Sequence, residues 1–169
     1  VGLTGADGGL FEAGVVDPAL GHVGAVEDVN PEVLNALGAA GYVPVVATVS
    51  PRPDDVDVFL NVNADMAVAP IASAWGADAV LFLSDVPHVR DGSERIPHLD
   101  GAAASSLEAS GVIGGGMIPK VEAAVAAAEA RPAATVKIAA GDVDDPIAAA
   151  LLPDCGTLVA AQLPEAHHA

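Results

Sequence analysis

The chain has 169 residues, of which 52% are apolar and only 3% aromatic. That is enough for one folded domain with a core of Val, Leu, Ile and Ala, and it argues against a disordered or fibrous chain. Twenty-three acidic residues against 6 basic ones leave a formal net charge of −17, which argues against nucleic acid and anionic membranes as partners, because both need a basic face.

Residues 1–4 read as a short strand that ends in a Gly-Ala-Asp-Gly-Gly turn. Residues 10–16 and 22–29 read as a hairpin joined across Asp17-Pro18. Asn30-Pro31-Glu32 starts a helix, with Asn as the cap and Pro at the first helical position. Val33, Leu34 and Leu37 give it an apolar stripe and Gly41 stops it. A buried strand is expected over 42–49, a polar loop over 51–57 and a strand again over 58–61.

The next helix is expected from about Asn63 to Trp75. Pro70 conflicts with it, because proline removes a backbone donor and crowds the preceding turn; the helix should kink there or begin later. Residues 79–83 resemble a central parallel strand, and Asp91-Gly92-Ser93 a turn. Asp100 caps a helix to about Ser110, and Gly114-Gly115-Gly116 opens another over 117–130. A strand over 134–140, a short helix over 146–152 and a last strand over 156–160 follow, with a frayed tail at 165–169. Strands alternate with helices from residue 30 onward, which predicts an α/β fold with a mainly parallel sheet. No repeat and no dividing linker is evident, so residues 1–169 read as one portion of a domain carrying a hairpin near 10–29. The opening residues are already strand-like and lack an initiator Met, so an upstream part is expected.

Two segments carry candidate chemistry. In Asn61-Val62-Asn63-Ala64-Asp65 the two amides alternate on a strand and share a face. That face lies near a strand's C-terminal end, where open α/β sheets bind ligands. A pair of amides suits a carboxylate ligand; a capping Asn and Asp before a helix is the competing explanation. In Gly114-Gly115-Gly116-Met117-Ile118-Pro119-Lys120 a glycine run at a helix start exposes N–H groups to an anion. Lys120 follows one turn in, and it is one of only two lysines, with Lys137. A flexible turn with a solvated lysine is the alternative. The segment Ser84, Asp85, Val86, Pro87, His88 and Val89 follows a strand and suits ribose or base contacts; an ordinary strand-to-loop turn competes.

There is no P-loop and no G-x-S-x-G elbow. His22, His88, His98, His167 and His168 show no metal-ligand spacing with acids or Cys155. Cys155 is the single cysteine, which rules out an internal disulfide and fits a reducing cytoplasm. It reads as packing rather than as a nucleophile. Apolar runs are strand-length or broken by charge, so neither a membrane span nor a signal peptide is expected.

Together these pieces resemble the amino acid kinase family, and within it the branch that phosphorylates N-acetyl-L-glutamate. The matching segments include Gly2-Leu-Thr-Gly-Ala-Asp-Gly-Gly, Gly21-His-Val-Gly, Asn61-Val-Asn-Ala-Asp, Leu83-Ser-Asp-Val, Gly115-Gly-Met-Ile-Pro-Lys-Val and Gly156-Thr-Leu-Val, in the family's order. The resemblance implies a partial three-layer α/β/α sandwich and ATP-dependent transfer to the substrate's side-chain carboxylate, in arginine synthesis. It further implies Asn61 and Asn63 on the substrate α-carboxylate, Lys120 on the transferring phosphoryl group and Asp65 organising the catalytic lysines. Ser84 to Val89, and Val112 and Ile113 with Gly114 to Met117, would line the nucleotide site, with Mg²⁺ bridging the phosphates. A homodimer or higher homo-oligomer is implied once the family's N-terminal lobe is present. That lobe carries a second catalytic lysine, phosphate-binding glycine loops and a substrate arginine, and nothing here takes those roles. The chain thus resembles the nucleotide-binding C-terminal half, inactive or nearly so alone. A kinase acting on carrier-linked aminoadipate or glutamate in lysine synthesis, and a non-catalytic nucleotide-binding subunit, are the alternatives. His88 stands where the family has a small residue, either crowding the nucleotide or pointing outward. The segment near Leu152 lacks the pattern of arginine-inhibited members.

Overall fold

The computed structural model describes residues 1–163. The expected frayed tail at 165–169, with His167 and His168, lies outside them. The chain forms two compact units, Val1–Gly76 and a second from Ala77 onward.

In the first unit β1 (Gly2–Thr4) leads into a one-turn 3-10 helix at Asp7–Gly9. Asp7 Oδ2 locks that turn by accepting from Thr4 N at 2.7 Å and Thr4 Oγ1 at 2.8 Å. These bonds hold the Asp7 carboxyl below its ordinary pKa. β2 (Phe11–Val15) and β3 (Val23–Val29) form the expected antiparallel hairpin, with Asp17 capping a short turn between them. Helix α1 (Glu32–Ala39) begins one residue later than expected: Pro31 sits just outside it, while Asn30 Oδ1 still accepts from Glu32 N at 3.2 Å.

β4 (Val45–Ala47), β5 (Val49–Arg52) and β6 (Asp55–Val62) correct the expectation for 42–61. The apolar run is not a buried strand. β4 pairs only with β1, in parallel, and Tyr42, Val43 and Val45 are 57%, 76% and 65% exposed. The supposed polar loop is a β5–β6 hairpin whose turn is held by Arg52 Nε and Nη2 on Asp54 at 2.9 and 2.6 Å. Pro51 is tolerated because β5 is the edge of the sheet β2-β3-β6-β5 and carries a bulge beside it. Helix α2 (Ala64–Trp75) starts where Asn63 caps it, so Pro70 does not delay it. Pro70 lies within the helix and removes the N–H that would reach the Met66 carbonyl. The core here is Leu10, Phe11, Ala13, Leu34, Leu60, Val62 and Ala67.

The second unit contains β7 (Ala79–Ser84), β8 (Arg90–Asp91), β9 (Glu94–Arg95), β10 (His98–Leu99), α3 (Gly101–Ala109), α4 (Met117–Ala130), β11 (Thr135–Ala140), α5 (Pro146–Leu151) and β12 (Thr157–Val159). Its sheet has the order β10-β12-β11-β7. β7 and β11 pair in parallel over six residues, the crossover being α3 and α4. β7 is the end of this sheet rather than its centre. β12 returns antiparallel to β11 after the short helix α5. The two-residue strands β8, β9 and β10 are too short to leave a period in the sequence. Asp100 caps α3 through Oδ1 on Ala103 N at 2.9 Å. Bonds from the Ala103 and Leu163 N–H groups hold its carboxyl below the ordinary range.

The parallel pairs β1–β4, β3–β6, β7–β11 and β10–β12 and the intervening helices make the fold mixed α/β. The second core is built as composition predicts: Val80, Val121, Val136, Ile138 and Val159 interlock with Ala124, Ala127 and Ala128, and Phe82 supplies one ring. Each fully buried Val or Ile contributes about 1.5–3 kcal/mol. Lys137 lies buried in β11, its Nζ donating to the Leu152 and Cys155 carbonyls at 2.6 and 3.2 Å. There it satisfies the carbonyl of Leu152, the residue that caps α5, and that of Cys155 in the loop beyond. No helix among the described residues is long and apolar enough to cross a membrane.

Candidate functional site

The candidate residues fall into one group in each unit. In the first, β6 delivers the amides. Asn61 is held on both sides, facing Val23 of β3 and Val49 of β5. The period-two alternation survives to the strand's end, with Val62 buried and Asn61 and Asn63 exposed. Asn63 lies one residue beyond the strand in extended backbone, and its Oδ1 accepts from Asp65 N at 2.9 Å. The carbonyl end of this amide is therefore engaged at the helix start, and the NH₂ is its donor end. Asp65 is half-buried in the first turn of α2, where the helix dipole favours a carboxylate. Capping and ligand-holding are compatible here, because they use different atoms of Asn63.

In the second unit β7 ends at Ser84, whose Oγ donates to Asp85 Oδ1 at 3.0 Å. The chain then turns through 86–90 beside the segment leading into α4. A recess of about 200 Å³ forms there, lined by Val86, His88, Val89, Arg90, Val112, Ile113, Gly114 and Met117. Seven of these belong to the expected nucleotide segments. Ser84 and Asp85 stay at the strand end, and Pro87 lines a second recess. Gly115 and Gly116 continue from Gly114 as exposed backbone. Gly115 has φ of 58°, and a Cβ built on Gly114, Gly115 or Gly116 meets nothing within 4 Å. Only a glycine adopts this turn without strain, and the open space lets a ligand approach the backbone.

Lys120 stands in the first turns of α4, with Nζ 5.9 Å from the centre of the Phe82 ring on β7. A cation at a helix N-terminus opposes the dipole; the Phe82 face offsets that cost. The apolar walls of the recess, the polar edge given by His88 and Arg90, the open glycine run and Lys120 together fit a base, a phosphate chain and its charge. No cluster of three or more His, Cys, Asp or Glu side chains suited to a metal occurs among the described residues.

Sequence reasoning missed Arg90, although it directly follows the segment singled out. It also missed the second recess, of about 400 Å³, which is lined by Pro87, His88, Arg95 and Ala139 to Ala140 with Val143, Ala149, Ala150 and Asp154 to Gly156. Arg95 Nε donates to Gly156 O at 2.9 Å, and an Nη donates to Asp154 O. Buried Thr157 accepts from Val89 N at 2.9 Å and donates to Ile96 O at 2.7 Å, pinning the 86–97 loop to β12. Small alanines and a turn arginine give no signal of such a hollow.

The sequence model of the Amino acid kinase family matches residues 1–138. The chain belongs to the amino acid kinase family. It is 44% identical over 129 residues to an acetylglutamate kinase of Serratia proteamaculans, covering 76% of this chain and 49% of that one. It is 46% identical over 128 residues to an acetylglutamate kinase of Solibacter usitatus, covering 75% and 49%. The chain thus spans about half the length of the curated relatives it matches.

Solved structures share the fold. The smu.665 protein of Streptococcus mutans superposes with a TM-score of 0.76 at 24% identity, over 91% of this chain and 58% of that one. Carbamate kinase of Giardia lamblia bound to AMP-PNP gives 0.68 at 17% identity, over 90% and 59%. N-acetylglutamate synthase of Neisseria gonorrhoeae gives 0.73 at 18%, over 90% and 37%.

Proposed function

We propose that this chain is the nucleotide-binding half of an acetylglutamate kinase, which transfers a phosphoryl group from ATP to the side-chain carboxylate of N-acetyl-L-glutamate in arginine biosynthesis. The observation that carries the reading is identity of 41–46% to proteins of that name across about three quarters of the chain. The recess beside the N-terminus of α4 supports it, because seven expected nucleotide contacts meet there.

In this reading the recess takes the base, and the Gly114 to Gly116 backbone offers N–H groups to the phosphates. Asn61 and Asn63 donate amide hydrogens to the substrate's α-carboxylate. Asp65 positions catalytic lysine, and Lys120 balances the charge on the moving phosphoryl group. Mg²⁺ bound with the nucleotide would supply charge neutralisation at the phosphates. The protein's contribution is position and electrostatics, with no covalent step of its own. The whole enzyme is expected to be cytoplasmic and to assemble as a homodimer or higher homo-oligomer.

His88, which lines the recess where the family has a small residue, favours a second reading, a nucleotide-binding chain without turnover of its own. Trapping of acyl phosphate as hydroxamate separates these. The full-length enzyme should form hydroxamate from ATP and N-acetyl-L-glutamate, and the 169-residue chain should not. Hydroxamate only from a carrier-linked aminoadipate or glutamate would move the substrate to lysine synthesis. None from any of these would leave the non-catalytic reading.

A further inference from the structure

His88 is the one residue common to the linings of the two recesses described above. It stands between a pocket of about 200 Å³ and one of about 400 Å³. The smaller lies below the range of about 300–1,000 Å³ usual for small-molecule sites, so it holds a base and little more. The larger is walled by Ala139, Ala140, Val143 and Ala149, small apolar groups suited to an aromatic substituent. It lies at the C-terminal end of β11, which pairs in parallel with β7, and open sheets take ligands at such ends.

Resting on the nucleotide-binding reading above, we propose that His88 is a specificity-determining residue for the nucleotide base. Its imidazole is the partition that closes the base recess, and the larger recess is the latent extension behind it. The wild-type chain therefore takes an unsubstituted purine nucleotide and rejects one enlarged at its ring edge. Removing the side chain joins the recesses and reverses that preference.

The test is calorimetric titration of the wild-type chain, His88→Gly and His88→Ala with Mg·ATP and Mg·N6-benzyl-ATP, with circular dichroism confirming that each variant is folded. The preference for ATP over the benzyl analogue should fall by at least about 10-fold in His88→Gly, since pocket contacts of even one methylene are worth about 10–200-fold. His88→Ala should fall in the same direction. Adding Val143→Phe to His88→Gly, which refills the larger recess, should restore the wild-type preference. ATP bound by all variants at an unchanged preference overturns the role of His88 and leaves the nucleotide reading standing. A gain that survives Val143→Phe overturns the assignment of the larger recess. No ATP binding by any of them, wild type included, sinks both.

Discussion

Replacing Lys120 by Met keeps most of the aliphatic stem and removes only the charge. Two stability effects then oppose each other. The ammonium lost from the Phe82 face, 5.9 Å from the ring centre, costs about 0.5–1 kcal/mol. The cation removed from the start of α4 returns about 0.3–1 kcal/mol, because it opposed the helix dipole. Together these two contributions change stability by under about 1 kcal/mol, and Tm by a few degrees at most. Turnover behaves differently. A charge aimed at the transferring phosphoryl group acts mainly in the transition state, so its loss should lower kcat by about 10²–10³-fold, equivalent to about 2.7–4 kcal/mol. Nucleotide affinity should stay within a few-fold. The assay is hydroxamate formation by the full-length enzyme, paired with calorimetric titration of Mg·ATP and a thermal melt. Unchanged kcat would refute the role. A loss of nucleotide affinity as large as the loss of kcat would show uniform binding instead of transition-state stabilisation.

The two amides should separate by readout. Asn61→Ala is expected to raise KM for the acylamino acid well above any change for ATP, with Tm unmoved. Asn63→Ala should do the same and also destabilise by about 0.5–2 kcal/mol, since it removes the cap of α2; equal melting of both variants would contradict this. Gly156→Ala should be markedly less stable, because φ is 69° and the new Cβ would lie 2.5 Å from the Ile138 carbonyl oxygen; a wild-type melt would disprove that contact. Asp7, Asp54 and Asp100 have carboxyls depressed in the fold by hydrogen bonds from Thr4, Arg52 and Ala103 respectively. Such groups stabilise above their unfolded pKa of about 3.9 and lose that contribution as pH falls through the lower folded value. Asp100→Asn should therefore lower Tm at neutral pH, where the ionised carboxylate contributes, and flatten the acid limb of a Tm–pH curve below about pH 4. An identical acid limb would remove Asp100 from that account.

Most helices were legible because their ends carry chemistry of their own. Asn63, Asp100 and the Gly114 to Gly116 run mark starts that the structure keeps, and Gly76, at φ of 74°, ends α2. Several of the longer strands were also clear, but the β5–β6 hairpin, the two-residue strands and strand environment were not. The run over 42–49 has the apolar character of a buried strand, yet burial depends on what lies alongside, and β4 has one neighbour. Pro51 and the aspartates after it spelled a loop, but an edge strand tolerates proline and the Arg52–Asp54 pair closes the turn. The segments over 84–89 and 112–117 were readable as turns after a strand and before a helix, and most of them meet in one recess. The larger recess was not readable, because a hollow lined by alanine leaves no distinctive residue in the sequence.

The central claim is tested most directly by titrating Mg·ATP into the 169-residue chain by calorimetry. The account predicts saturable binding at one site per chain, with no hydroxamate formed when N-acetyl-L-glutamate is added. Absence of any heat of binding at millimolar nucleotide, from a chain that circular dichroism shows to be folded, would contradict it.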